Sequence, residues 1–439
     1  MKIIFVLNQF LPKQTAGTEV YTWALIKHLQ NRDIEVKIVI PNFGEKVSSN
    51  YSYDGISIYQ YAEPSVVDRS LIMGHRLPDG LINFKNYIAD ERPDIVHFQE
   101  LAGSNGITLQ HVLEAKATGA RVMMTFHLAG YTCKTGTVVY KDKNLCNGLT
   151  ELKKCSICYL KSKSFESAAI YLYVASSYLH FHSINPLKRN TKIGTALGTV
   201  SIIDKLKSDL FALVSACDRV VAITNWYENI LILNGIDKKK ISLIFQGLPL
   251  QPNFVPNKCK FNQKPLRLIF LGRINKFKGL HLLIAALENI DPSCVQLSIF
   301  GNSDDFDYET DLRSKTHKMN NIFWHGKLMQ EDVVVTLNKY HMLCLCSTFS
   351  EMSPLVIQEA FAAKIPVLAA NVYGNAEQIQ HNYNGLLFKF NNVEDLRIQI
   401  LRCINEPDLI NHLTKNISSP RSFSEVADEY FELYKNLLS

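Results

Sequence analysis

Short apolar runs alternate with helix-length amphipathic segments along the whole sequence, and no other feature limits the possible folds so strongly. Apolar runs fall at 2–7, 36–40, 56–59, 95–98, 122–126, 219–224 and 241–245, then at 266–271, 295–300, 322–325, 342–346 and 366–369. Helical patterns lie between them at 18–30, 279–288, 330–339 and 354–363. Strands this apolar are covered on both faces, which predicts parallel sheets built from right-handed β-α-β units. The series restarts after a polar, proline-bearing stretch at 248–265, predicting an α/β chain of two doubly wound, Rossmann-like domains, 1–250 and 262–420. A final helix is expected at 423–438, where Val426, Tyr430, Leu433 and Leu437 form an apolar stripe. The segment 133–209 breaks the alternation and reads as an insert in the first domain.

Composition removes several classes of function. Of the 439 residues, 47% are hydrophobic and 20% charged, which excludes disorder and fibrous repeats. A formal charge of +6 is too small to imply nucleic acid, although it suits anionic substrates or an anionic membrane face. No apolar run reaches the roughly 18 residues of a membrane span. The best stretch, 168–181, is interrupted by serines, tyrosines and a histidine. The N-terminus has no small-residue cleavage site and reads as a first strand. Ten cysteines in so long a chain form no disulfide framework, so a reducing, cytoplasmic location is expected. No G-x-G-x-x-G lies near either first strand, which argues against a dinucleotide-dependent dehydrogenase.

Doubly wound sheets bind ligands beyond the carboxyl ends of their strands, so the loops there carry the candidates. In the second half, Gly272-Arg273 ends a strand, and Lys278-Gly279 opens a helix. Two cations beside a helix N-terminus offer a diphosphate charge, N–H donors and a bidentate grip. Solvated surface cations are the plainer alternative. Next comes Glu351-Met-Ser-Pro-Leu-Val-Ile-Gln-Glu359. With a helix starting at Ser353 or Pro354, Glu351 sits in the preceding loop and Glu359 in the second turn. The N–H groups of Leu355 and Val356 are then open to phosphate. Gly374-Asn-Ala-Glu377 and Asn384-Gly385 read as turns flanking this region.

In the first half, Thr15-Ala16-Gly17-Thr18-Glu19 follows the first strand, and Gly17 would let the backbone approach a ligand. His127 ends the 122–126 strand, where an imidazole can donate to a sugar hydroxyl or to developing charge; a structural histidine is the alternative. His97 ends another strand and reads mainly as packing.

Together, in this order and spacing, these residues resemble the GT-B glycosyltransferases, specifically the large retaining family called GT4, of the bacterial polysaccharide type. The resemblance covers nearly the whole chain and is strongest over 266–388, in LGRINKFKGLHLLIAAL, STFSEMSPLVIQEAFAAKIPVLAANVYGNAEQI and NGLLF. It implies that Arg273 and Lys278 hold the diphosphate of a UDP- or GDP-sugar donor, Glu359 the ribose hydroxyls, and Glu351 the transferred sugar. It implies that Leu355 and Val356 amides face the donor and that His127 is a site histidine. It also implies that a C-terminal helix, 421–439, crosses back to the first domain. Lys364 and Gln246-Gly247 depart from the family pattern, which often has glycine and asparagine–glycine there.

Cys133, Cys146, Cys155 and Cys158 have Cys-x12-Cys-x8-Cys-x2-Cys spacing. A Cys-x2-Cys pair in one tight turn with two further thiolates makes a tetrahedral zinc site; unligated cysteines and redox use are the other open readings. The remaining six cysteines read as core or bland positions. The insert is also basic, and the aromatic stretch 170–181 is followed by Lys188, Arg189 and Lys192. Such a segment suits either an anionic membrane interface or a solvated lid.

The expected function is a retaining transfer of sugar from a nucleoside-diphosphate donor to a glycan or polyprenyl-linked acceptor, in surface polysaccharide assembly. No catalytic metal and no nucleic-acid partner are expected, and peripheral contact with the inner membrane face is. A nucleotide-sugar epimerase or hydrolase of the same fold and a non-catalytic zinc-stabilised binding protein are the alternatives.

Overall fold

The computed structural model describes residues 1–65, 69–72, 74, 76–101, 106–141, 143–189, 191–250, 265–406 and 408–439. Most of the 248–265 linker, together with Cys259, lies outside the described residues. The strands in chain order are β1 (Lys2–Val6), β2 (Glu35–Phe43), β3 (Ser49–Tyr53), β4 (Ile56–Glu63), β5 (Ile95–Phe98), β6 (Arg121–Phe126), β7 (Val139–Tyr140) and β8 (Asn144–Leu145). They continue as β9 (Arg219–Ala222), β10 (Ile241–Leu243), β11 (Leu266–Leu271), β12 (Val295–Phe300), β13 (Ile322–Gly326), β14 (Met342–Leu345), β15 (Val367–Ala370) and β16 (Gly385–Phe388). Two compact units result. One comprises Met1–Lys141, Cys146–Gln246 and Phe423–Ser439, the other Asp142–Leu145 and Gly247–Ser422.

The sheet of the first unit runs β10-β9-β6-β5-β1-β2-β4-β3. Every pairing is parallel, as expected, except that of β4 with β3, a strand the apolar pattern did not mark. The strand β3 reads SNYSY and is half-exposed at an edge, so it lacks the apolar signature of the buried strands. Helix Phe423–Leu438 packs on helix Gly17–Gln30, burying Phe423, Val426, Ala427, Tyr430 and Tyr434, with Leu433 and Leu437 only partly covered. Its tyrosines close a buried hydrogen-bond chain. His97 Nδ1 lies 2.8 Å from the Tyr434 hydroxyl and Nε2 2.8 Å from Thr125 Oγ1, which is 3.0 Å from the Tyr430 hydroxyl. Burial pushes the His97 imidazole down to about 3, so it stays neutral and structural.

The insert folds largely as helices, Leu152–Ser162, Ala169–Phe181, Lys192–Leu197 and Thr199–Ala216. A small core of Ile157, Leu160, Ala169 and Ala196 joins the first three.

The sheet of the second unit runs β13-β12-β11-β14-β15-β16, all parallel. Counted from its own first strand this is the order 3-2-1-4-5-6, the doubly wound Rossmann arrangement, with its topological switch between β11 and β14. The helix expected at 330–339 is instead a 3-10 turn, Gln330–Asp332, and one short helix, Val333–Leu337. Gly385, expected only as a turn residue, begins β16, whose apolar residues pair with β15.

Candidate active site

In the second unit, the loops leaving β11 and β14 meet at the switch point. Thr348 N–H donates to Phe277 O at 2.8 Å, and Thr348 Oγ1 donates to Lys276 O at 3.1 Å. Gly279 has φ +68, and a Cβ there would lie 1.8 Å from Cys346 O. Both the left-handed backbone and the backbone contact demand glycine. Gly279→Ala is therefore expected to destabilise the protein by about 3 kcal/mol or more in urea denaturation, combining strain with a clash that no side chain can relieve.

These tied loops bring Lys278 and Glu351 together. Lys278 Nζ donates to Glu351 Oε1 at 2.6 Å, and Ser347 Oγ donates to the same oxygen at 2.6 Å. The two side chains are 19% and 8% exposed, and the ammonium lies 5.4 Å from the Phe349 ring centroid. Gly374 presses on the same segment, since a Cβ there would lie 2.2 Å from Glu351 O.

Arg273 is held more loosely. Its Nη1 lies 3.4 Å from Asp304 Oδ2, and its side chain is 67% exposed, so the pair is weak and the guanidinium can turn to an anionic ligand. Asp304 also accepts from Asn275 Nδ2 at 3.1 Å, while Asn275 Oδ1 accepts from Lys278 N–H at 3.2 Å. The sequence-predicted Arg273, Lys278 and Glu351 thus share one connected network, completed by Ser347, Asn275 and Asp304. None of these three was singled out in the sequence, although each lies in a loop that leaves the carboxyl end of a strand.

Helix Leu355–Ala362 starts beyond Pro354, whose backbone is extended. The N–H groups of Leu355 and Val356 fall in its first turn, where no intrahelical acceptor exists. Glu359 is buried on this helix; its Oε1 accepts from Gln330 Nε2 at 2.5 Å. Burial pushes its carboxyl up to about 7, opposed by that hydrogen bond.

In the first unit, the switch lies between β1 and β5. Gly17 opens helix Gly17–Gln30, and the space where its Cβ would lie is open. His127 follows β6, is buried, and has Nε2 2.9 Å from Gln99 Oε1, with the Tyr21 ring packed edge-on at 4.7 Å. Burial pushes this imidazole down to about 3, so it does not carry charge near neutrality. Three neighbouring groups escaped the sequence reading or were left without a role. Glu19 is 1% exposed, accepts from Gln14 Nε2 at 2.7 Å through Oε1, and leaves Oε2 without a partner. Burial, reinforced by the Glu100 carboxylate, pushes its carboxyl up to about 7. Glu100 accepts from Asn8 N–H at 3.2 Å, and burial raises it too. Gln99 holds a buried amide nitrogen without a hydrogen bond.

The cysteines depart from the zinc expectation. All four border one hollow of about 20 Å³, the scale of a single water. Yet among the described residues no group of three or more Cys, His, Asp or Glu side chains is arranged to hold a metal ion. The physical reason is local. Cys155 and Cys158 lie on helix Leu152–Ser162 and not in a tight turn. Cys155 Sγ accepts from Glu151 N–H at 3.4 Å, Cys158 Sγ accepts from Lys141 N–H at 3.3 Å, and Cys133 Sγ lies 3.2 Å from Thr135 Oγ1. The residues as placed do not fit a tetrahedral ion.

Two units of Rossmann type, each with polar side chains gathered at its switch point, define a GT-B protein. The solved structures it resembles agree. Sucrose-phosphate synthase from Thermosynechococcus elongatus superposes with a TM-score of 0.69 at 16% identity, over 99% of this chain and 98% of that one. Anabaena HepE in complex with UDP and glucose gives 0.64 at 14% identity, over 99% of both chains. Residues 253–419 match the model of glycosyl transferases group 1, and residues 15–146 match that of glycosyltransferase family 4. The chain belongs to the GT4-type glycosyltransferases of GT-B fold. Among named relatives, an uncharacterised glycosyltransferase of Methanocaldococcus jannaschii is 24% identical over 51% of this chain and 59% of its own length. The amylovoran biosynthesis glycosyltransferase AmsK of Erwinia amylovora is 24% identical over 48% and 53%. The chain spans about half the length of the first relatives it matches.

Proposed function

We propose that this protein transfers a sugar from a UDP- or GDP-sugar to a glycan or polyprenyl-linked acceptor, with retention at the anomeric carbon, in surface polysaccharide assembly. The observation that carries the reading is the buried Lys278–Glu351–Ser347 network at the β11/β14 switch point. Lys278 and Arg273 supply positive charge to the diphosphate as its bond to the anomeric carbon breaks, and the first-turn amides of Leu355 and Val356 add donors. Glu351, oriented by Lys278 and Ser347, positions the transferred sugar through its second oxygen. Glu359 accepts from ribose hydroxyls. His127, neutral at the end of β6 with Nε2 against Gln99, orients a sugar hydroxyl in the first unit. Neighbours in fold support the donor class, since HepE is recorded with UDP-glucose. AmsK, a relative named for amylovoran biosynthesis, supports the polysaccharide setting.

Product analysis with and without acceptor tests this. A panel of nucleotide sugars is screened for thermal stabilisation, and the best donor is then incubated with candidate acceptors. The proposal expects a new glycoside only when acceptor is present. Equal consumption of donor without acceptor, giving free sugar or an epimer, would make the protein a hydrolase or epimerase instead.

A further inference from the structure

Helix Ala169–Phe181 is apolar on two opposite faces, and only one of them is covered. Taking 100° per residue, Ala169, Leu172, Tyr173 and Ser176 fall within an arc of about 100° that faces the insert's own core. Ile170, Tyr171, Val174, Tyr178 and Phe181 fall within the opposite arc of about 100°. All five are exposed, Tyr171 by 80% and Phe181 by 83%. A soluble helix ordinarily turns polar residues outward, so a continuous apolar stripe in that position indicates something that covers it.

The surroundings identify the covering surface. Between Lys161 and Ile193 the sequence has five cations, Lys161, Lys163, Lys188, Arg189 and Lys192, against one acid, Glu166. Lys188, Arg189 and Lys192 are exposed in the segment that follows the helix, beside the equally exposed Ile184 and Ile193. Two outward tyrosines suit a boundary that is apolar below and wet above. An apolar stripe with a basic rim is the chemistry of an anionic lipid interface. At 13 residues the helix is about 20 Å long, short of the roughly 30 Å hydrocarbon core, so it lies along a membrane and does not cross one. Among the described residues no helix is long and apolar enough to span.

We propose that the outward face of helix Ala169–Phe181, with its basic rim, docks the protein on an anionic lipid surface. This rests on surface chemistry alone, so its failure would leave the donor-site reading intact. The full chain is sedimented with vesicles of mixed phosphatidylglycerol and phosphatidylcholine, and of phosphatidylcholine alone, at low and high salt. Wild type is expected to pellet with the anionic vesicles at low salt and to be released as salt rises. Tyr171→Ser/Phe181→Ser should weaken that binding about tenfold or more, and Lys188→Gln/Arg189→Gln/Lys192→Gln should remove the preference for anionic lipid. Because these side chains are exposed, an unchanged melting temperature verifies that each variant is folded. Absence of vesicle binding, or binding that the Tyr171→Ser/Phe181→Ser variant retains in full, would overturn the proposal. So would a wild-type dimer that the same substitutions dissolve without lipid being bound.

Discussion

Lys278→Ala is expected to reduce glycosyl transfer at least a hundredfold and to lower stability by about 3 kcal/mol. The two effects have different origins. Stability falls because Lys278 and Glu351 are paired at 2.6 Å and largely buried, so deleting the ammonium leaves an uncompensated carboxylate held by Ser347. Activity falls because, in the proposed donor site, the same ammonium supplies charge to the departing diphosphate. A second variant separates them. Lys278→Ala/Glu351→Ala removes both charges together, so urea denaturation should show much of the lost stability restored, whereas initial rates of transfer should remain as low as in the single variant. Recovery of activity in the double variant would mean that the pair only supports the fold.

Glu359 should make both stability and donor binding depend on pH. Its carboxyl is raised from an ordinary 4.5 to about 7 by burial. Between those values the folded protein therefore holds more protons than the unfolded chain. Its favourable contribution is fully present below pH 4.5 and is lost as pH rises through 7, a change of about 3 kcal/mol. Glu19, also raised to about 7, works in the same direction. Glu359→Gln keeps the shape and cannot ionise, so it should raise the melting temperature at pH 8 and change it little at pH 5. Donor binding should move the opposite way. Ribose hydroxyls donate best to the ionised carboxylate, so wild-type affinity for UDP should strengthen from pH 6 to pH 8. The Glu359→Gln variant should bind more weakly and without that slope. An identical slope in both proteins would take Glu359 out of the nucleotide site.

How much of this was legible beforehand follows from what each residue does locally. Runs such as LRLIFL and VQLSIF are apolar because β11 and β12 are covered on both faces, and their expected bounds, 266–271 and 295–300, match the structure. The edge strand β3 was missed because one side meets solvent and SNYSY offers only Tyr51 and Tyr53 to the core, too short an alternation to stand out. Arg273, Lys278, Glu351 and Glu359 stood out because their joint order and spacing resemble the family pattern; taken singly, each reads as a solvated surface charge. Ser347, Asn275 and Asp304 did not, because Ser, Asn and Asp after a strand are what any turn contains. Gln99 and Glu100 were hidden for the same reason; the rule that ligands sit beyond strand carboxyl ends would have found them, since both follow β5 directly. The cysteine spacing did bring all four side chains to one hollow, but it carries no information about backbone: Cys155 and Cys158 lie on a helix and not in a turn.

Calorimetric titration of UDP and GDP into wild type and into Arg273→Ala/Lys278→Ala tests the donor site most directly. The wild type should bind at least one of the two nucleotides, and the double variant should bind it at least about a hundredfold more weakly, having lost two charge-assisted contacts to phosphate. Equal affinity in the two proteins would contradict a diphosphate site at the β11/β14 switch point.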